Sequence, residues 1–261
     1  MSRQNYYKHR HRRRSQHVDE AFILSLVRRE RAAQPRLGGR KLLHILRAEF
    51  ELGGVSIGRD RFFSLLRRED LLIKPRSRRC RTTDSRHMFR VYGNILKDVH
   101  INGPCEAVVS DITYIRTDEG FMYLSLIMDA YSRAIVGYDC SDSLEAEGAL
   151  RCLSMASSRL KDTSGVIHHS DRGIQYCSGA YVNKLKHLGY RISMTEENHC
   201  YENSKAERLN GILKGEYGLG DRFLRKSDAR KAVDEAVMLY NYRRPHQCLG
   251  YRYPMEVHLA A

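Results

Sequence analysis

Apolar positions along the chain change period twice, and the changes divide it into a helical front and an α/β body. Val18, Phe22, Leu24, Leu26 and Val27 lie among charges over residues 18–31 and predict a helix that ends before Pro35. Residues 35–39 read as a linker, 40–47 form an amphipathic run, and Gly53-Gly54 breaks it. Ser56 is placed to cap a following helix with Phe62, Phe63, Leu65 and Leu66 inward and Arg59, Arg61, Arg67 and Arg68 outward. From about Ile101 the period shortens to two, and residues 107–116, 121–129 and 134–140 predict three strands in an antiparallel meander. A helix over 144–160 follows, with Asp142 and Glu145 as a capping box. Beyond it the pattern predicts a strand (166–170), a helix (179–188), a strand (190–194) and helices over 204–217 and 230–242. The order β-β-β-α-β-α-β-α defines an α/β fold, a mixed sheet flanked by helices, preceded by a small all-α domain.

Charge sharpens this division. The 261 residues carry a net charge of +14, but residues 1–90 hold 24 Lys and Arg against 9 Asp and Glu, whereas residues 91–261 hold 21 against 22. A basic front with the run Lys8-His9-Arg10-His11-Arg12-Arg13-Arg14 is the electrostatic footprint of a polyanionic partner, and double-stranded DNA is the natural one. The plainer reading is a solvated basic tail. No apolar run is long enough to span a bilayer, and the N-terminus lacks the apolar core of a secretory signal, so a cytoplasmic protein without a membrane partner is expected. The seven cysteines form no CxxC, which argues for reduced thiols and against structural zinc. Four segments follow: a basic N-terminal segment with a helix (1–34), a helix-turn-helix-like domain (35–73), a basic linker (74–100) and a core (101–261).

Three carboxylates in the core stand where sites are built. Asp111 sits inside a predicted strand, where an acid is costly unless paired or metal-bound. Asp171 closes the short run Val166-Ile167 and precedes Arg172-Gly173, at a strand's C-terminal end. Glu207 opens the helix over 204–217, in which Leu209, Ile212 and Leu213 face inward while Glu207, Asn210, Gly211 and Lys214 share another face. Taken singly, each acid has an ordinary reading as a turn former, an ion-pair partner or a complement to the helix dipole. Together they supply the converging oxygens that hard divalent cations require.

The flanking residues carry a family resemblance. Ser110-Asp111-Ile112-Thr113-Tyr114-Ile115, His169-Ser170-Asp171-Arg172-Gly173, Glu202 to Arg208 with Leu213-Lys214, and Tyr242-Arg243-Arg244-Pro245-His246 with Leu249-Gly250-Tyr251 resemble the catalytic, second-reading-frame transposases of bacterial insertion sequences of the IS-three family, within the retroviral-integrase superfamily. The 35 residues between Asp171 and Glu207 match that family's spacing. One departure is the lack of tryptophan: Val108-Val109 stand before the first Asp, where the family usually carries one.

The resemblance implies a ribonuclease-H-like core of DDE type in which Asp111, Asp171 and Glu207 are catalytic and hold two Mg²⁺ ions, with Mn²⁺ as a substitute, and Lys214 is the helix lysine. It further implies DNA cleavage and strand transfer during transposition, with element ends and target DNA as substrates. An upstream-frame protein or fusion as partner, a homo-oligomer on DNA and a nucleoid location are also expected, since residues 1–7 resemble the start of a second frame. The expected DNA contacts are Lys214 and Asn210 in the core, Arg40, Arg59, Arg61 and Arg67 in the helical front, and Arg243, Arg244 and His246 near the end. For the last group, pairing with core acids is the alternative to phosphate contact. For the whole chain, the alternatives are a DNA-binding regulator or inactive element remnant, and a nuclease of RNA–DNA hybrids.

Overall fold

Three amphipathic helices build the front of the molecule: α1 (Arg3–Ala33), α2 (Gly39–Leu52) and α3 (Arg59–Arg68). The structure, a computed structural model, describes residues 3–74, 89–160, 162–196 and 203–260, with side chains from residue 18 onward. Ile23 and Val27 of α1, Leu42, Leu46 and Phe50 of α2, and Phe62, Leu65 and Leu66 of α3 are buried against one another. Their three- and four-residue spacing puts them on one stripe of each helix, and each such burial contributes about 1.5–3 kcal/mol. Gly53 follows the end of α2, and only glycine fits there because a Cβ would lie 2.5 Å from the Phe22 ring.

Two details differ from the sequence expectation. The first helix starts at Arg3 rather than near Val18. Ser56 does not cap α3; Gly58 occupies that position with no side-chain bond, and Asp60 in the first turn complements the helix dipole instead. Most of the expected basic linker, residues 75–88, lies outside the described residues.

The chain divides into two compact units, Met1–Ser77 and Arg78–Ala261. The second is organised by a six-stranded sheet in the order β3-β2-β1-β4-β5, with β6 also paired to β1. Its strands are β1 (Ala107–Thr117), β2 (Gly120–Asp129), β3 (Ile135–Ser141), β4 (Ile167–Ser170), β5 (Arg191–Met194) and β6 (Arg222–Phe223). The first three form the expected antiparallel meander, and β4 and β5 add in parallel. β6 was not foreseen, because two residues carry no periodicity.

Alternation along β1 sends Val108 into one core and Ala107, Val109 and Ile115 into another. Helices α4 (Ala146–Leu160), α5 (Ile174–Cys177) and α6 (Gly179–His187) cover the first face. Helices α7 (Ser204–Glu216) and α8 (Lys226–Tyr242) cover the second, and α9 (Pro254–Leu259) follows. Gly137 lets α4 approach β3: a Cβ there would sit 2.5 Å from the Cys152 carbonyl oxygen. The expected Asp142–Glu145 capping box does not form; α4 begins at Ala146, and Asp142 takes ion pairs from Lys226 and Arg230 of α8. Among the described residues, no helix is long and apolar enough to cross a membrane.

Candidate active site

Asp111 occupies the stretch of β1 just past its pairing with β4. That pairing runs from Ala107↔Ile167 to Val109↔His169, so two residues further along the same parallel register Asp171 comes level with Asp111. β4 ends at Ser170, which releases Asp171 into a turn in which its Oδ1 accepts the Gly173 N–H at 2.9 Å. A Cβ on Gly173 would lie 3.0 Å from that oxygen, so a side chain there would crowd the carboxylate. Arg172 points the other way and donates to the Thr195 carbonyl at 2.6 Å.

Strand alternation also decides which helix Asp111 meets. It shares the face of Val109 and therefore looks toward α7, whose Ala206, Leu209, Ile212 and Leu213 are buried on that side. The side-chain Nδ2 of Asn210 donates to Asp111 Oδ2 at 2.6 Å, and Asp111 Oδ1 accepts its neighbour's Ile112 N–H at 2.9 Å. On the opposite face Ser110 Oγ donates to Tyr176 Oη at 2.9 Å, and buried Asn203, just before α7, donates to the Ser110 carbonyl at 3.0 Å. Asn203 thus ties the start of the Glu207 helix to the strand of Asp111. The motif over 202–208 includes it, but nothing in the sequence gave it this role.

Burial pushes the Asp111 carboxyl up to about 7, and the negative charges of Asp171 and Glu207 push in the same direction. The bonds from Ile112 and Asn210 oppose them. The donors of this site are hard carboxylate oxygens on half-buried Asp111 and Asp171 and exposed Glu207. That set fits a hard divalent cation. Lys214, half-buried further along α7, is held below the usual ammonium range by burial; Asp111 opposes that shift and Arg116 adds to it.

The expected DNA contacts divide by exposure. Arg40 and Arg67 are exposed in the front unit. Arg59 pairs with Asp60 at 2.9 Å in solvent, and Arg61, itself exposed, lies 3.7 Å from the largely covered Glu20. In the core, Asn210 is buried and its Nδ2 is engaged with Asp111 rather than presented at the surface. Arg244 is also turned inward. It is 3 % exposed, and its Nε and Nη2 bond Glu216 Oε2 and Oε1 at 2.8 and 2.9 Å, the core-acid alternative to phosphate contact. His246 is buried edge-on against Tyr240, at 5.3 Å between ring centroids, whereas Arg243 is exposed. Residues 197–202, just ahead of the Glu207 helix, lie outside the described residues.

Among the described residues, a separate group brings three metal-ligand types within 4.8 Å of one another: Cys105, Asp129 and His258. Asp129 is fully buried there, and its oxygens accept the Cys105, Tyr131 and Ser132 N–H groups and the Ser132 hydroxyl. It fixes the turn after β2.

Comparison with known proteins places this α/β core among the integrase-type polynucleotidyl-transferase families. Two family models described as integrase core domain match residues 102–200 and 188–254. Transposase InsF for insertion sequence IS3A of Escherichia coli (strain K12) is 33 % identical over 237 residues, which is 90 % of this chain and 80 % of that protein. The insertion element IS600 uncharacterized 31 kDa protein of Shigella sonnei is 34 % identical over 207 residues, 78 % of this chain and 76 % of that one. A simian T-cell lymphotropic virus intasome, solved by cryo-electron microscopy with PP2A regulatory subunit B56 gamma, contains a chain with the same fold. Its TM-score is 0.51 at 19 % identity, covering 84 % of this chain and 73 % of that one. The chain belongs to the integrase-core transposases of the IS3 family.

Proposed function

We propose that this chain is an enzyme that nicks double-stranded DNA at the ends of a bacterial insertion sequence and joins the resulting 3′-hydroxyl to another phosphodiester, with Asp111, Asp171 and Glu207 as ligands of two Mg²⁺ ions. One observation carries this reading: a strand centre, a strand end and a helix start bring three acids close enough that two of them raise the pKa of the third. Bound metal would supply Lewis-acid activation of the attacking oxygen and charge stabilisation at the departing one. The chain's own residues orient the reaction. Asn210 holds Asp111 in one rotamer, Asn203 anchors the Glu207 helix to β1, and Lys214 meets a phosphate beside the acids. Hydrolytic nicking and strand transfer use the same site because only the nucleophile differs. The exposed arginines of the front unit anchor DNA. Assembly as a homo-oligomer on DNA, partnership with an upstream-frame protein and a nucleoid location in the bacterial cytoplasm belong to the same reading.

The test is Mg²⁺-dependent cleavage and joining of duplex oligonucleotides by the full chain and by Asp111→Asn, Asp171→Asn and Glu207→Gln, with an RNA–DNA hybrid as a second substrate. The parent chain is expected to cut duplex DNA and each variant to be inactive while still binding it. Substantial activity in a variant removes that residue from the site. Preference for the hybrid sinks the transposase chemistry, and binding without cleavage under Mg²⁺ or Mn²⁺ makes the chain a DNA-binding regulator or an inactive element remnant.

A further inference from the structure

On α7 the side chains of Lys205 and Glu207 are two positions apart, about 200° around the helix, so Lys205 faces away from the acids. It looks into a cavity of about 730 Å³, a size typical of small-molecule sites. Arg133, Lys205, Arg252 and His100 contribute its polar lining, and Leu96, Ile101 and Leu249 are part of its apolar wall. Among the described residues that line it there is no Asp or Glu.

The cations of this cavity are poorly matched by protein. Arg133 Nη1 is buried without a hydrogen-bond partner. Arg133 also sits at φ +65°, a left-handed conformation rare for a long side chain, which the turn after β2 imposes. Among the described residues, Lys205 Nζ reaches only the Ala130 carbonyl, at 3.4 Å. Asp129, the nearby acid, is fully buried and its oxygens take four hydrogen bonds from the turn. An anion entering the cavity would sit between two cations and give Arg133 Nη1 an acceptor.

We infer that this cavity is a nucleotide site: the phosphate of an unpaired nucleotide lies between Arg133 and Lys205, and its base lies along the apolar wall beside Tyr131. A bare phosphate would leave the apolar wall without a partner. A base within a duplex presents its faces to its neighbours rather than to protein, so the nucleotide must be outside the stack. Tyr131, 38 % exposed, is the aromatic side chain of the lining and the natural stacking partner for the base. The occupant is either a frayed or single-stranded nucleotide of the DNA strand or a free mononucleotide. The first source rests on the DNA-cleaving function proposed above, because α7 alone would separate such a nucleotide from the acids.

The test compares binding of the full chain to a short blunt duplex and to the same duplex with a single-stranded overhang of a few nucleotides. A short single strand, free dAMP and inorganic phosphate serve as competitors. The overhang is expected to bind about tenfold more tightly, equivalent to about 1.4 kcal/mol. That ratio should fall to near one in Lys205→Gln and in Arg133→Asn, the latter chosen because Asn tolerates positive φ. Thermal unfolding identifies any variant that fails to fold, leaving the other to decide. Loss of the preference in the presence of dAMP supports the site and admits free mononucleotides. Competition by single strands but not dAMP supports it with DNA as the source. Equal binding of blunt and overhang duplexes, a preference that persists in both folded variants, or inorganic phosphate competing as well as dAMP overturns it. Cleavage is scored separately: inactivity with an intact overhang preference overturns the catalytic reading alone, and normal cleavage without the preference overturns the cavity alone.

Discussion

Asn210 donates its side-chain amide to Asp111 across 2.6 Å, linking the Glu207 helix to the central strand at the acid whose pKa is most exposed to its neighbours. The bond favours the ionised carboxylate, so its loss moves Asp111 further above about 7. Asn210→Ala should therefore cut cleavage at neutral pH about tenfold or more and shift the acid limb of the pH–rate profile to higher pH. Asn210→Asp, which adds a negative charge, should shift it further. Identical profiles for parent and variants would remove Asn210 from the site.

Asp111 also links stability to pH. Its folded pKa of about 7 lies above the unfolded value of about 3.9, so the folded state binds the extra proton between them. Its contribution favours folding below about pH 4 and is lost progressively as pH rises toward 7. In metal-free buffer at pH 8, Asp111→Asn should be more stable than the parent, by at most about 4 kcal/mol for a shift of about three units, and the advantage should shrink at pH 5. Denaturant unfolding at both pH values measures it, and a variant less stable at pH 8 refutes the charge-crowded site.

Lys214 and Arg208 separate position from charge on α7. Lys214 is half-buried and within electrostatic reach of Asp111, whereas Arg208 is exposed. Lys214→Ala should lower strand transfer about tenfold or more, about 1.4 kcal/mol, with Mg²⁺ dependence unchanged, and Arg208→Ala should change it less than about twofold. Equal, small losses at both positions would reduce Lys214 to a solvated helix lysine.

The Arg244–Glu216 pair predicts a structural phenotype for the motif that ends the core. Arg244 is 3 % exposed and locks the last residue of α7 through two hydrogen bonds. Removing Arg244 leaves Glu216, whose side chain is 23 % exposed, without its two hydrogen bonds, so Arg244→Ala should destabilise the chain by about 1–3 kcal/mol. Arg243→Ala, at an exposed position, should stay within about 0.5 kcal/mol. Chemical denaturation of both variants is the check, and a stable Arg244→Ala chain with weakened DNA binding would return this residue to the DNA contacts.

Arg40, Arg59, Arg61 and Arg67 give a salt test of the front unit. Each phosphate contact removed should reduce the slope of log K against log salt by about 0.9. Replacing Arg40 and Arg67 with Gln, alone and together, should flatten the slope stepwise without altering thermal stability. An unchanged slope places the DNA anchor elsewhere.

Local periodicity determined much of this molecule before any tertiary contact was considered. Strand alternation around Asp111, the helical stripe of Leu209, Ile212 and Leu213, and the 35 residues from Asp171 to Glu207 are properties of neighbouring residues, and with them the order of the longer elements and the three candidate acids were legible, whereas the short helices at 174–177 and 254–259 and the two-residue β6 were not. The rest depends on partners far apart in sequence. Only the parallel register from Ala107↔Ile167 to Val109↔His169 sets Asp111 level with Asp171, and only packing of α7 on β1 makes Asn210 the hydrogen-bond partner of a candidate acid. Arg244 is as basic as Arg243, yet one is buried on Glu216 and the other exposed, because the chain direction after α8 rather than residue type decides which side chain faces inward. The cavity shared by Arg133 and Lys205 arises in the same way, between a turn and a helix start that no local pattern joins.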